Sequence, residues 1–129
     1  MDEKPWVIDD DRYSRLRLIA WWDQERIRKA TVLVVGAGAL GNEVIKNLAL
    51  LGVGRVMIVD FDDIEASNLT RSVLFRESDC GQPKAIVAAR AARDLGPDTE
   101  FIPFRTNVIT SIGLGLIREV DVIIGCLDN

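Results

Sequence analysis

The sequence predicts an α/β protein whose Rossmann-like, doubly wound and mainly parallel sheet carries helices on both faces. Residues 32–35 form an unbroken apolar run, which suits a strand buried on both faces. The glycines of residues 36–41 then have the G-x-G-x-x-G spacing of a nucleotide-binding turn. An apolar helical stretch leads from that turn to a second strand over residues 56–62. Strand, glycine loop, helix and strand in this order form the repeating unit of doubly wound sheets.

The residues of the glycine loop, 36–41, have separate physical roles. Gly36 makes the tight turn, Gly38 lets the backbone approach a phosphate, and Gly41 lets the next helix pack closely on the sheet. The free N–H groups, including that of Ala39, and the positive end of the helix dipole then face the anion. The loop alone leaves open whether its ligand is NAD, FAD or ATP, or whether the turn is empty.

A polar loop over residues 60–71 follows the second strand. Asp60 stands about 20 residues after the glycines, where an acid accepts hydrogen bonds from ribose hydroxyls. Loops beyond the carboxyl ends of parallel strands are where ligands bind in open α/β sheets. In the alternative interpretation, Ser67 or Asn68 caps a turn and Arg71 pairs with a surface acid.

Two helices have recognisable ends. Gly52 closes the helix that follows the glycine loop, as a left-handed cap. The second helix has Pro83 near its first position and is ended by Gly96 and the proline after it. Lys84 lies in the first turn of this second helix, where the dipole disfavours a cation. A lysine in that place suggests a nearby anion.

Three further elements complete the predicted fold. They are a strand, a helix diluted by two glycines and a final strand, over residues 101–104, 110–119 and 121–125. Pro103 indicates that the first of these strands lies at an edge of the sheet. Asp128 and Asn129 leave the carboxyl end of the last strand, on the same side of the sheet as Gly38 and Asp60.

Composition limits the chemistry that the chain can perform. Its 129 residues are 48% apolar, carry a net charge of −4 and include no histidine. The usual general base and metal ligand is therefore missing, and any chemistry must use carboxylates, arginine, lysine and backbone groups. Because no basic block and no long apolar span stand out, we expect neither a nucleic-acid nor a membrane partner.

The two cysteines, Cys80 and Cys126, are too few and too isolated for a disulfide framework or a zinc site. They suggest a reducing compartment, so we expect a cytoplasmic protein. Since cysteine is readily buried, we predict that both pack in the interior.

We expect two regions in the chain. Residues 1–30 are predicted to form an N-terminal arm and one or two short helices, with the charges of residues 12–28 on a solvated face. Residues 31–129 are predicted to form a nucleotide-binding α/β domain.

Taken together, seven motifs in order resemble the amino-terminal adenylation domain of the ThiF/MoeB superfamily, the bacterial relatives of ubiquitin-activating enzymes. They are residues 12–15, 36–41, 52–54, 60–62, 67–71, 81–85 and 127–129. The resemblance covers almost the whole chain from Arg12. It departs from the family pattern at Ala39, where a glycine is common, and at Ser72, where glutamine usually follows the loop arginine.

The resemblance implies an enzyme that uses Mg²⁺ and ATP to adenylate the carboxyl-terminal glycine of a small ubiquitin-like or sulfur-carrier protein ending in Gly-Gly, with release of pyrophosphate. By the same resemblance Asp60 holds the ribose, Asn68 and Arg71 the triphosphate, Lys84 the phosphates near the reacting centre, and Asp128 the magnesium ion. The implied nucleotide site comprises Gly36, Gly38, Ala39, Gly41, Asp60, Asp62, Asn68, Arg71, Lys84, Asp128 and Asn129. Arg15 resembles an arginine that reaches into the ATP site of a neighbouring subunit, which implies a homodimer with Arg15, Arg71, Lys84 and Asp128 as its catalytic residues.

Members of the resembled family generally continue well beyond the position of Asn129. They add strands, a crossover loop that in some members carries a catalytic cysteine, and often paired zinc-binding motifs. We therefore expect the chain to be a fragment of a longer protein, with its domain over residues 31–129 truncated after the fourth strand and its C-terminal half absent. Any zinc site would lie in the absent part.

Two other functions stay open at this point. An NAD-dependent oxidoreductase would share the glycine loop and Asp60, but it gives no reason for the motif over residues 67–71 or for Lys84. A catalytically inactive scaffold subunit of an activating heterodimer would keep the fold, but the retention of Arg71, Lys84 and Asp128 argues against it. The identity of the carrier protein and its pathway does not follow from the sequence.

Overall fold

The computed structural model describes residues 11–128 and contains a four-stranded sheet in which every neighbouring pair of strands is parallel. The strands are β1 Thr31–Val35, β2 Arg55–Val59, β3 Glu100–Phe104 and β4 Val122–Gly125. Their order across the sheet is β3-β2-β1-β4. The predicted fold class is confirmed. Residues 1–10 of the predicted arm and the predicted site residue Asn129 lie outside the described part of the chain.

Helices cover both faces of the sheet, as predicted. They are α1 Gln24–Lys29, α2 Ala39–Leu51, α3 Lys84–Leu95, α4 Val108–Ser111 and α5 Leu114–Arg118. Successive side chains of a strand point to opposite faces, so Val32 and Val34 of β1 join the core beneath α2 and α3. Leu33 and Val35 join a smaller core beneath α4 and α5.

The two long helices begin and end largely where the sequence indicates. Gly38 is the N-cap of α2, and Gly52 ends that helix with φ 73°, the predicted left-handed cap. Pro83 precedes the first residue of α3, and Gly96 follows its last. A side chain at Gly52 would collide with the ring of Tyr13, so the positive φ and the close packing both require glycine there.

The segment before β1 contains a 3₁₀ turn over Leu16–Leu18 and the short helix α1. Tyr13 anchors it, because its buried ring packs on Gly52 and its hydroxyl donates a hydrogen bond to Asp98 at 2.8 Å. Burial, followed by this hydrogen bond, raises the pKa of Tyr13. On α1 the ion pair between Arg28 and Glu25, at 2.8 Å, lies in solvent as predicted.

The predicted helix over residues 110–119 is wrong in its extent, because two short helices stand in its place. Ile112 and Gly113 separate α4 from α5 with extended backbone angles. The first of the two starts earlier than predicted because the Asn107 side chain accepts a hydrogen bond from the Ile109 N–H at 2.8 Å and so caps α4. The predicted edge strand with Pro103 is confirmed, since β3 is an outer strand.

The two cysteines differ in their environments. Cys126 is buried beside the glycine loop, and burial raises the pKa of its thiol, so it packs as predicted. The prediction for Cys80 is wrong because its side chain is exposed in the turn before α3. Within residues 11–128, no helix has the length and apolar character needed to cross a bilayer.

Candidate functional site

A cleft of about 770 Å³ lies at the carboxyl edge of the sheet, within the usual size range for small-molecule sites. Segments that follow all four strands line it. These are the glycine loop after β1, Asp60–Asp62 after β2, residues 106–109 after β3, and residues 126–128 after β4. The strand order reverses between β1 and β4, and ligands bind at such a switch point in doubly wound folds.

Close packing fixes the glycine loop in place. Gly36 has φ 103°, and a Cβ there would lie 2.8 Å from the carbonyl oxygen of Cys126. A Cβ on Gly41 would overlap the carbonyl oxygen of Gly36, so α2 can pack against the loop only without a side chain at this position. Gly38 has no atom within 4 Å of its would-be Cβ, which leaves open space on the cleft side of the loop.

Asp60 links the glycine loop to the end of β2. One carboxylate oxygen accepts a hydrogen bond from the Ala37 N–H at 2.8 Å, and the other accepts one from the Asp62 N–H at 2.7 Å. Each carboxylate oxygen has a second lone pair, so the half-buried side chain can still accept bonds from a ligand.

The polar loop after Asp60 brings Asn68 and Arg71 to the cleft. The Asn68 side chain accepts a hydrogen bond from the Glu65 N–H at 2.8 Å, so it caps a 3₁₀ turn while it also lines the cleft. Arg71 also lines the cleft, and its guanidinium donates to the carbonyl oxygen of Ser67 at 3.1 Å. Among residues 11–128 Arg71 has no carboxylate partner, so its charge is not neutralised there.

Lys84 and Asp128 bring opposite charges to the same cleft. Lys84 is the first residue of α3, and its backbone N–H donates to the Asp62 carbonyl oxygen at 3.0 Å. Asp128 lies just beyond β4 and is exposed. In the described part of the chain neither side chain takes part in an ion pair, so both charges are available to a ligand.

Most of the predicted site residues therefore meet in one place. The lining includes Gly36, Gly38, Ala39, Asp60, Asp62, Asn68, Arg71, Lys84 and Asp128. Gly41 acts one layer behind, through its packing against Gly36. Arg15 is exposed and is not part of the lining of its own chain's cleft.

Sequence reasoning missed two parts of the site. Residues 106–109 form the far wall, and no motif marks them. Asn42 lies behind the glycine loop with no exposed surface and bonds to that loop. A signal for it exists in the sequence, since a polar amide directly after Gly41 interrupts an otherwise apolar helix face.

Comparison with known proteins identifies the family. The model described as the ThiF family matches residues 11–129. The chain belongs to the ThiF family. This confirms the resemblance that the seven sequence motifs indicate.

Relatives of this ThiF-family chain include adenylyltransferases. It is 38% identical over 128 residues to the sulfur carrier protein adenylyltransferase of Thermus thermophilus, covering 96% of this chain and 47% of that protein. It is 43% identical over 121 residues to the adenylyltransferase and sulfurtransferase MOCS3 of Bos taurus, covering 92% of this chain and 27% of that protein. The chain thus spans about a quarter to a half of the length of these relatives.

Solved structures give the same picture of the ThiF-family fold. A crystal structure of Escherichia coli MccB with AMPCPP and MccA matches with a TM-score of 0.82 and 30% identity, covering 95% of this chain and 38% of that one. A structure of MccB with ATP matches with a TM-score of 0.72 and 32% identity over 81% of this chain and 33% of that one.

Proposed function

We propose that the protein adenylates the carboxyl-terminal carboxylate of a small ubiquitin-like or sulfur-carrier protein with ATP. The observation that carries the proposal is that Arg71, Lys84 and Asp128 line one cleft together with the glycine loop. Relatives named as adenylyltransferases of sulfur carriers, and MccB structures with ATP and AMPCPP, support it.

The proposed reaction needs charge stabilisation more than proton transfer. The carrier carboxylate attacks the α-phosphorus of ATP, an acyl-phosphate bond forms, and the bond to the β-phosphate breaks to release pyrophosphate. Two anions approach each other and negative charge builds on the leaving group, so fixed cations are the required catalysts. Arg71 and Lys84 supply such cations, which explains how a chain with no histidine can perform this chemistry.

The remaining lining residues have roles that follow from their positions. Asp60, with Asp62 next to it in the cleft, would accept hydrogen bonds from the ribose hydroxyls. The backbone N–H groups of Gly38 and Ala39 would donate to phosphate oxygens. Asn68 and Arg71 would hold the triphosphate. Lys84, at the start of α3, would hold the phosphate oxygens nearest the reacting centre.

Magnesium fits the residues at this cleft. Within residues 11–128 no three acidic, histidine or cysteine side chains cluster in a way that could hold a metal by themselves. Mg²⁺ in nucleotide sites is usually held by one or two carboxylates together with substrate phosphates and water. The exposed carboxylate of Asp128 suits that mode and would hold the ion. A bound Mg²⁺ would neutralise phosphate charge during the transfer.

We also propose that the active form is a homodimer. Arg15 is exposed, lies outside its own cleft and makes no ion pair within residues 11–128. Its guanidinium would complete the ATP site of the neighbouring subunit, as the family resemblance implies.

Carrier-dependent exchange of pyrophosphate into ATP tests the reaction, in the protein as its gene encodes it and with a carrier ending in Gly-Gly. Arg71→Ala and Asp128→Ala should each lower the exchange rate about 10²- to 10³-fold, because each removes a group that stabilises charge in the transition state. Arg118→Ala and Asp94→Ala, exposed positions away from the cleft, are the matched controls and should keep the rate of the unaltered protein. Normal exchange in both cleft variants would contradict the site assignment, and tight NADH binding without ATP binding would contradict the function.

A further inference from the structure

Asn42 connects two parts of the cleft from behind. Its side chain has no exposed surface and uses both ends. The amide nitrogen donates to the carbonyl oxygens of Ala37, at 3.0 Å, and Gly38, at 2.8 Å. The amide oxygen accepts a hydrogen bond from the Leu74 N–H at 2.9 Å.

The two carbonyls that Asn42 binds determine where the loop amides point. A trans peptide unit is planar, with its C=O and its N–H on opposite sides. When the carbonyls of Ala37 and Gly38 point inward to Asn42, the N–H groups of Gly38 and Ala39 point the other way. That way is the cleft, because both residues line it.

The other end of Asn42 holds the segment that carries Arg71. Leu74 is three residues beyond Arg71, and Ser72 between them is buried and lines the cleft. Leu74 itself is buried in the main core. The side chain of Asn42 therefore connects the glycine loop, at Ala37 and Gly38, to the segment that carries Arg71.

No smaller or simpler side chain can make these three bonds. Asparagine carries two donors at one end and an acceptor at the other. Leucine has a similar size but no polar atom, and aspartate has no donor for the two carbonyls. The hydroxyl of a serine at residue 42 could reach back only to the carbonyl four residues earlier, which belongs to Gly38.

We propose that Asn42 is a positioning residue that holds the glycine-loop amides and Arg71 in the register required to bind a triphosphate. The inference rests on the proposed function, since it assumes that the cleft binds ATP. It assigns to Asn42 an effect on the phosphate part of the ligand and none on the nucleoside part.

The test compares the affinities of the whole chain for ATP and for adenosine, measured by calorimetry on the unaltered protein, Asn42→Ala and Asn42→Ser. Asn42→Ala should weaken ATP binding by about tenfold, because three side-chain hydrogen bonds are lost and the Ala37 carbonyl, whose peptide unit carries the Gly38 N–H, loses the bond that it accepts from Asn42. The Gly38 carbonyl keeps the bond that it accepts from the backbone N–H of residue 42 at 2.8 Å. The ATP affinity of Asn42→Ser should lie between those of the unaltered protein and Asn42→Ala, since the serine hydroxyl can keep a side-chain bond to the Gly38 carbonyl. Adenosine binding should be the same in all three.

A core variant separates positioning from general loss of stability. Val87→Ala removes buried volume from α3 at a residue outside the cleft lining, so it should lower the melting temperature while leaving the ratio of ATP to adenosine affinity unchanged. Asn42→Ser serves if Asn42→Ala does not fold.

Each remaining outcome decides the question. Equal weakening of ATP and adenosine in the Asn42 variants, or unchanged ATP binding, would overturn the positioning role alone. A change of the affinity ratio in Val87→Ala as large as in Asn42→Ala would also overturn it. Failure of the unaltered chain to bind ATP would overturn the proposed function and this inference together.

Discussion

The two faces of the sheet differ greatly in how they are packed. On one face α2 and α3, of 13 and 12 residues, cover a large buried core. On the other face α4 and α5, of 4 and 5 residues, cover a smaller core, in which four strand residues of the described part of the chain are buried. Ile45 of α2 has no exposed surface, whereas Ile109 of α4 is 87% exposed.

The two walls of the cleft differ in the same way as the two faces of the sheet. The groups proposed to hold phosphates and ribose, including Gly38, Asp60 and Lys84, belong to segments that begin or end at the well-packed face. The far wall, residues 106–109, leads into the thinly packed α4. Dense packing therefore lies behind the groups proposed to hold the phosphates and the ribose, and thinner packing lies behind the opposite wall.

The strongest test of this comparison is a pair of glycine variants, one in α2 and one in α5. Gly41→Ala should destabilise the protein by about 3 kcal/mol, because the new Cβ overlaps the backbone carbonyl of Gly36. Gly115→Ala should be neutral or stabilise by up to about 1 kcal/mol, because its Cβ meets no atom within 4 Å and alanine favours a helix. Urea unfolding measures both, and equal effects would contradict the comparison.

A second pair compares isoleucines under the two faces. Ile45→Ala should cost about 2 to 5 kcal/mol, because it opens a cavity in a core with no exposed surface at that position. Ile112→Ala should cost about 1 kcal/mol, since its side chain is only partly buried. If urea unfolding gives similar losses for the two variants, the second face is packed as firmly as the first.

The smallest expected effect concerns Tyr13, which packs against Gly52 at the end of α2. Tyr13→Phe removes the hydrogen bond to Asp98 and should cost about 1 kcal/mol at neutral pH. Because the folded protein raises the pKa of Tyr13, this contribution is complete below about pH 10, where unfolded tyrosine begins to ionise, and is lost as the pH rises further. The stability difference between the two proteins, measured in urea from about pH 8 to about pH 11, should therefore narrow at the alkaline end. A constant difference would show that the hydroxyl does not act through this bond.

Local sequence signals were sufficient where one short segment decides the structure. The glycine loop, the cap at Gly52 and the start of α3 after Pro83 are each marked by a short local motif, and the structure agrees with the sequence there. The break at Gly113 was missed because the sequence pattern treats its glycines as diluting one helix, whereas in the structure Gly113 has extended backbone angles and is the N-cap of a second helix.

Features that depend on distant residues were out of reach. The side-chain oxygen of Asn42 accepts a hydrogen bond from the N–H of Leu74, 32 residues further along the chain. The periodicity of the sequence shows only that residue 42 is a polar position on a helix. Cys80 was predicted to be buried from residue type, which does not show that its turn lies in solvent. Asn68 satisfied both interpretations at once, as a turn cap and as a cleft residue.

The contact between Gly36 and Cys126 has a consequence for how the cleft responds to a ligand. The backbone N–H of Cys126 donates to the Val35 carbonyl oxygen at 2.7 Å, and Gly36 leaves no room for a side chain between the two segments. The turn after β1 and the exit of β4 are thus packed directly against each other. An incoming polyphosphate would meet main-chain donors already in place, so it would lose little affinity to freezing backbone motion, and only the exposed ends of longer side chains would have to settle around it.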